Sequence, residues 1–167
     1  DEFFLPDSSQ FYWRDLVGEK HLRYVPNSNH SMADTDIYDS VDAWYHSIVH
    51  NIKPPRYAWD LSEDGTITVF SIDKPEKVLL WQAHNPEKRN FTQEGIGKAY
   101  SSSLLTESEP GVYNVKVDPP ETGFIAYYIE MHYPSGIETP FKFSTGVKVV
   151  PDITGHTWQF KPDSTRN

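Results

Sequence analysis

His30 sits in a short polar loop, Pro26-Asn27-Ser28-Asn29-His30-Ser31. The loop lies between an alternating run, His21 to Pro26, and a stretch of helical apolar spacing from about Asp34 to Asn51. Upstream lies an acidic segment, Asp1-Glu2-Phe3-Phe4-Leu5-Pro6-Asp7. A histidine on a strand-to-helix loop, with a carboxylate on an earlier loop, has the order of the last two members of a nucleophile–acid–histidine triad. In such a triad a neutral imidazole takes a hydroxyl proton and returns it to the leaving group, while the carboxylate holds the imidazole's tautomer and its transient charge. Asp1 and Asp7 both qualify as the acid by chain order; Asp7 also stands where it would cap a helix. The nucleophile signature Gly-x-Ser-x-Gly is absent from the 167 residues. The pattern therefore predicts a chain that supplies acid and histidine to a nucleophile lying in sequence upstream, on the same polypeptide or a separate one.

Other groups carry less. His46 and His50 are four apart on the helical stretch, a metal-compatible spacing, but Ser47 stands where the glutamate of His-Glu-x-x-His would be. They read as solvated helix histidines, and neither a metal nor any other cofactor is expected. Asn90-Phe91-Thr92 and Asn29-His30-Ser31 both fit the glycosylation acceptor pattern. A glycan on Asn29 would crowd His30, so Asn90 is the preferred acceptor. A net charge of −9 argues against nucleic acid as a partner. No apolar run is long enough to span a bilayer. With no cysteine, disulfides and thiolate chemistry are excluded. The first residue is Asp, so any secretion signal is expected upstream or already removed.

The elements that must position the pair follow from periodicity. Asp7 or Ser8 can start a short helix running to about Leu16, stopped by Gly18. The run from His21 to Pro26 alternates as a half-exposed edge strand would. Ile37, Val41, Trp44, Tyr45, Ile48 and Val49 form one helical stripe, with Asp34 and Thr35 as cap candidates. Pro54 and Pro55 end this region, and the period then changes to two. Strands are expected over 56–61 and 66–72 around an Asp64-Gly65 turn, and over 77–83, 111–117, 124–133 and 141–150, with 85–110 irregular. Strands with no helix between them indicate an antiparallel β-sandwich of immunoglobulin or fibronectin type over 53–151, followed by a polar tail, 152–167. Residues 1–52 offer apolar faces and no sheet to cover, so they are expected to pack on an upstream portion of the same protein.

Several runs carry a family resemblance: Asp1 to Ser8, Phe11-Tyr12-Trp13, Gly18 to Asn27 with His30-Ser31, Leu80-Trp81-Gln82-Ala83 with Asn85-Pro86, and Pro140 to Phe143 with Thr145-Gly146-Val147 and Val150-Pro151. Together they resemble the PhoPQ-activated pathogenicity-related proteins of the α/β-hydrolase superfamily, as far as about Pro151. The resemblance implies that residues 1–52 are the C-terminal piece of an α/β-hydrolase-like sheet domain. It places Asp1 at the acid position, ahead of Asp7, and His30 at the histidine. It implies a secreted or periplasmic serine hydrolase acting on ester or peptide bonds, with the sandwich as accessory domain. The alternative is a non-enzymatic secreted signalling or binding factor on the same scaffold.

Overall fold

The computed structural model describes residues 1–154 of the chain. It is built mostly of antiparallel β-sheet with few helices. The first sheet has the order β1-β2-β5, from Tyr57–Leu61, Ile67–Ser71 and Val112–Val115. The second has the order β4-β3-β6-β7, from Ser101–Leu104, Lys77–Asn85, Phe124–Tyr133 and Phe141–Ser144, and β8, Lys148–Val150, also pairs with β6. Alternate residues of the first sheet (Trp59, Leu61, Ile67, Val69, Tyr113) meet residues of the second (Tyr127, Ile129, Met131, Tyr133, Phe143) in one core. The Asp64-Gly65 turn forms as its dipeptide dictates: Gly65 has φ +92° and its amide donates to the Ser62 carbonyl at 3.1 Å, while the Ser62 amide donates to the Thr66 carbonyl at 2.9 Å.

Two strand expectations need correction. The run 141–150 is two strands on one flank of β6, with Thr145 between them. There the Thr145 hydroxyl accepts from the Ile129 amide at 3.1 Å, and the Thr145 amide donates back to the Ile129 carbonyl at 2.9 Å. A side chain thus takes over one rung of the ladder. The irregular stretch 85–110 contains β4 and a short helix α2, Gln93–Ile96, capped by the Thr92 hydroxyl. All four β4 residues are exposed, so no burial pattern marked the strand in advance. The tail is exposed at 152–154, and the rest of it lies outside the described residues.

The segment before β1 also departs from expectation. The short helix over 8–16 is two 3-10 turns, Ser8–Phe11 and Trp13–Asp15. The run 21–26 is an extended strap rather than a ladder strand. Its ties to β7 are the Ser144 amide on the Leu22 carbonyl, 2.7 Å, and the Tyr24 amide on the Ser144 hydroxyl, 3.0 Å. The helix α1 spans Ile37–Val49 and packs on β7. Ala43, fully buried, and Ser47, four residues on, are its buried positions, and the Trp44 ring meets those of Phe141 and Phe143 in β7 edge-on, each at 6.2 Å. Most of the rest of the large apolar stripe is left outside: Val41 is 55% exposed and Tyr45 and Ile48 are each 65% exposed. The first 52 residues therefore do find surface within their own chain. Trp13 joins the common core with its ring 6.0 Å from that of Trp59. Even so, fourteen of the eighteen exposed large apolar side chains among the described residues precede residue 50, so this region is only half covered.

A polar network pins strap and helix to the second sheet. The Arg23 guanidinium donates to both Asp36 oxygens, at 2.7 and 2.9 Å, and to Glu130. Lys142 donates to Asp36 at 2.5 Å, and His132 Nε2 meets Glu130 at 2.6 Å. Burial pushes both carboxyls up. The hydrogen bonds and charges of Lys142 and Arg23 on Asp36, and of His132 and Arg23 on Glu130, outweigh it, so both titrate below their ordinary range. Asp36 precedes α1 but makes no side-chain cap, because its carboxylate is committed to these cations. Thr35 is the residue whose hydroxyl accepts from the Ile37 amide, at 3.4 Å.

Candidate functional site

The loop that carries His30 is held at both ends. Asn27, at φ +56°, pairs its amide side chain with the Tyr100 backbone in two bonds of 2.9 Å, fastening the loop beside β4. Asparagine tolerates this left-handed backbone better than most residues. The Ser28 hydroxyl donates to the Val25 carbonyl at 2.9 Å, and the Asn29 side-chain oxygen accepts from the Ser31 amide and hydroxyl at 3.1 and 2.6 Å. These local side-chain bonds shape a loop with no ladder to support it.

Asp1 and His30 come together. Asp1 Oδ2 lies 3.1 Å from His30 Nδ1, while Asp1 Oδ1 accepts from the Phe3 amide at 2.8 Å. Glu2 accepts from the His30 backbone amide at 3.1 Å, and the Phe3 ring meets the imidazole edge-on at 4.8 Å. Backbone amides, its own and that of His30, hold the Glu2 carboxyl below its usual range. The imidazole is therefore gripped on its Nδ1 side and at its backbone, and the His30 side chain is 56% exposed. A carboxylate at Nδ1 selects the Nδ1–H tautomer and leaves the Nε2 lone pair outward.

Asp7 is elsewhere. It is buried, ion-paired with Arg89 and bonded by Gln10 Nε2 at 3.2 Å, and it makes no side-chain helix cap. Its carboxylate serves to join the first turn to the segment after β3. Asn90 is half-buried, its side-chain oxygen accepting from the Thr92 amide at 3.0 Å and its Nδ2 packed against Gly95. Asn29 is the exposed member of the two acceptor patterns. His46, half-buried, and His50, exposed, lie ring to ring at 4.2 Å at the C-terminal end of α1. Among the described residues, no three His, Cys, Asp or Glu side chains converge as a metal site requires. No described helix is long and apolar enough to cross a membrane.

The sequence reading missed the Arg23–Asp36–Glu130–Lys142–His132 network and the Asp7–Arg89 pair. One signal was available. Glu130 is a carboxylate in the middle of the otherwise apolar run Phe124–Tyr133, and such a group must be paired to stay buried.

Comparison with known proteins agrees with the resemblance. Residues 1–92 match the family described as PhoPQ-activated pathogenicity-related protein. That match stops well short of Pro151. A curated relative reaches further: Autocrine proliferation repressor protein A of Dictyostelium discoideum is 34% identical over 180 residues, covering 91% of this chain. The chain spans only 36% of the length of that relative. No solved structure matches the chain.

Proposed function

The chain belongs to the PhoPQ-activated pathogenicity-related protein family, and on that premise we propose that it is the acid-and-histidine portion of an α/β-hydrolase-type serine hydrolase acting on ester or peptide bonds. The observation that carries this reading is the Asp1–His30 pair, with the carboxylate 3.1 Å from Nδ1 and no hydrogen bond on Nε2 among the described residues. In this role Nε2 takes the proton of a serine hydroxyl and hands it to the leaving group. Asp1 steadies the imidazolium formed between the two transfers.

The serine would come from the sheet domain proper, upstream in sequence. Two observations support such a partner. The outer face of α1 and the segment Phe3-Phe4-Leu5 leave an unusual amount of apolar surface exposed, and the relative is far longer than this chain. The two-sheet unit after Pro55 would then be an accessory domain of immunoglobulin or fibronectin type. The family resemblance is what supports a secreted or periplasmic location.

A second reading is favoured by the relative's name, which describes a repressor of proliferation. On that reading the scaffold signals through its surface and the histidine pair is vestigial. The two separate on a panel of activated esters and small peptides, assayed with the longer protein that contains this chain. Hydrolysis by the wild type, with loss of about 10⁴-fold or more in turnover in His30→Ala, supports the enzyme. Absence of turnover on the whole panel, or its retention in His30→Ala, supports the signalling factor.

A further inference from the structure

The Asp1–His30 pair depends on the register between two segments that no ladder joins. Among the described residues, residues 1–3 meet residues 28–30 through three hydrogen bonds and one ring contact. The Asp1 nitrogen donates to the Ser28 carbonyl at 3.2 Å, the Glu2 carboxylate accepts from the His30 amide at 3.1 Å, and Asp1 Oδ2 meets His30 Nδ1 at 3.1 Å. The ring contact is Phe3, edge-on to the imidazole at 4.8 Å. The Asp1 carboxylate is not free to follow the imidazole. Its other oxygen is held by the Phe3 amide at 2.8 Å, so the carboxylate moves with the backbone of its own segment. The distance from carboxylate to imidazole is therefore set by how residues 1–3 are fixed against the peptide of His30. Of the two ties to backbone, one reaches Ser28, two residues away, and the other, from Glu2, holds His30 at its own amide. That amide has no backbone partner among the described residues; the turn beside it is closed by the Met32 amide on the Asn29 carbonyl at 3.1 Å.

The Glu2 carboxylate gathers two backbone amides, its own and that of His30, and these hold it below its usual range. It is thus ionised wherever the imidazole is neutral, and a bond to an ionised acceptor is the stronger kind. We infer that Glu2 is a positioning residue for His30: bound to the amide of the histidine, it sets the distance at which Asp1 meets Nδ1, and with it the tautomer and aim of the imidazole. The two consecutive carboxylates divide the task. Asp1 touches the ring, and Glu2 holds the backbone that carries the ring. The consequence for turnover rests on the hydrolase reading; the setting of the pair does not. A carboxylate that merely trimmed a surface loop would leave the imidazole's proton where it was, so the difference is read at the ring.

The test has two arms. In the 167-residue chain, nitrogen resonances of isotopically labelled histidine, assigned by comparison with His30→Gln, report which ring nitrogen carries the proton at about pH 8, where the imidazole is neutral. The wild type should favour Nδ1–H, the form that a carboxylate at Nδ1 selects. Glu2→Ala should lower the ratio of Nδ1–H to Nε2–H several-fold. Glu2→Gln, whose amide oxygen still accepts, should keep most of it. Glu63→Ala, which removes the same charge from the exposed turn between β1 and β2, should change nothing. In the longer protein, labelling by a fluorophosphonate should slow by about 10- to 100-fold in Glu2→Ala, the size of loss that a misplaced group brings, and recover in Glu2→Gln. A tautomer ratio in Glu2→Ala equal to that of the wild type, or Glu2→Ala labelled at the wild-type rate, would overturn the inference. So would a change that Glu63→Ala reproduces, since it would then come from net charge. A Glu2-dependent tautomer in a protein that takes no label would uphold the setting of the pair and overturn the hydrolase reading instead. Glu2 is exposed, so the fold of its variants is not at risk.

Discussion

Replacing Arg23 by methionine should cost about 3 kcal/mol of folding stability at neutral pH. Methionine keeps the apolar stem of the side chain, so the loss reports the guanidinium rather than the packing. The Glu130 side chain is only 4% exposed, and removing one partner from a buried pair typically costs about 3–5 kcal/mol. The low end applies because His132 remains 2.6 Å from Glu130 and Lys142 remains 2.5 Å from Asp36. The assay is urea unfolding followed by circular dichroism. The midpoint should fall by about 1–3 M at unchanged slope. The pH dependence adds a second check. Glu130 and Asp36 have folded values below their ordinary 4.5 and 3.8, so their contribution is complete above those values and is lost as pH falls through the lower folded ones. The gap between wild type and Arg23→Met should therefore be full at pH 7 and shrink in acid. Adding Glu130→Leu to Arg23→Met should recover part of the loss, because it removes the stranded charge. A loss under about 1 kcal/mol at neutral pH, or a gap that does not narrow in acid, would refute the claim that this network clamps strap and helix to the sheet.

Three further outcomes are expected. Neighbouring tyrosines should respond with opposite sign in thermal melts: Tyr127→Phe destabilises by about 1–3 kcal/mol, because it strands the Gly65 carbonyl now bonded at 2.6 Å, while Tyr128→Phe is neutral or stabilising. Gly123→Ala should prevent stable folding, since at φ +72° a Cβ would stand 2.0 Å from the Asn85 carbonyl oxygen, whereas Gly97→Ala, at φ +62° in open space, should cost only about 1–2 kcal/mol by melt. Val41→Ser/Ile48→Ser should change stability of the isolated chain by less than about 0.5 kcal/mol per substitution, yet weaken co-purification with an upstream domain supplied in trans.

Periodicity carried the strands that bury alternate residues: β1, β2, β3 and β6 lie where the pattern put them, because their side chains feed one core. It failed where burial was not what made the structure. β4 is held by backbone pairing with β3 while its side chains face water. The extended strap 21–26 is held by two bonds to Ser144 and by Arg23, none of which leaves a local trace. In α1 the large apolar residues drew attention; of these Trp44 meets Phe141 and Phe143, while the buried positions are the small residues Ala43 and Ser47. The order of carboxylate, loop and histidine was legible, and it could not separate Asp1 from Asp7. What separates them in the structure is Arg89, 82 residues from Asp7 in the chain, which pairs with that carboxylate.

The central claim is that Asp1 and His30 act on a serine. It is tested most directly by labelling the longer protein with a fluorophosphonate, which reacts with an activated serine and forms a stable adduct read by intact mass. The account predicts stoichiometric labelling of the wild type on a serine upstream of this chain, strongly slowed in Asp1→Asn and absent in His30→Ala. A wild type that takes no label, or a His30→Ala variant labelled at the wild-type rate, would contradict it.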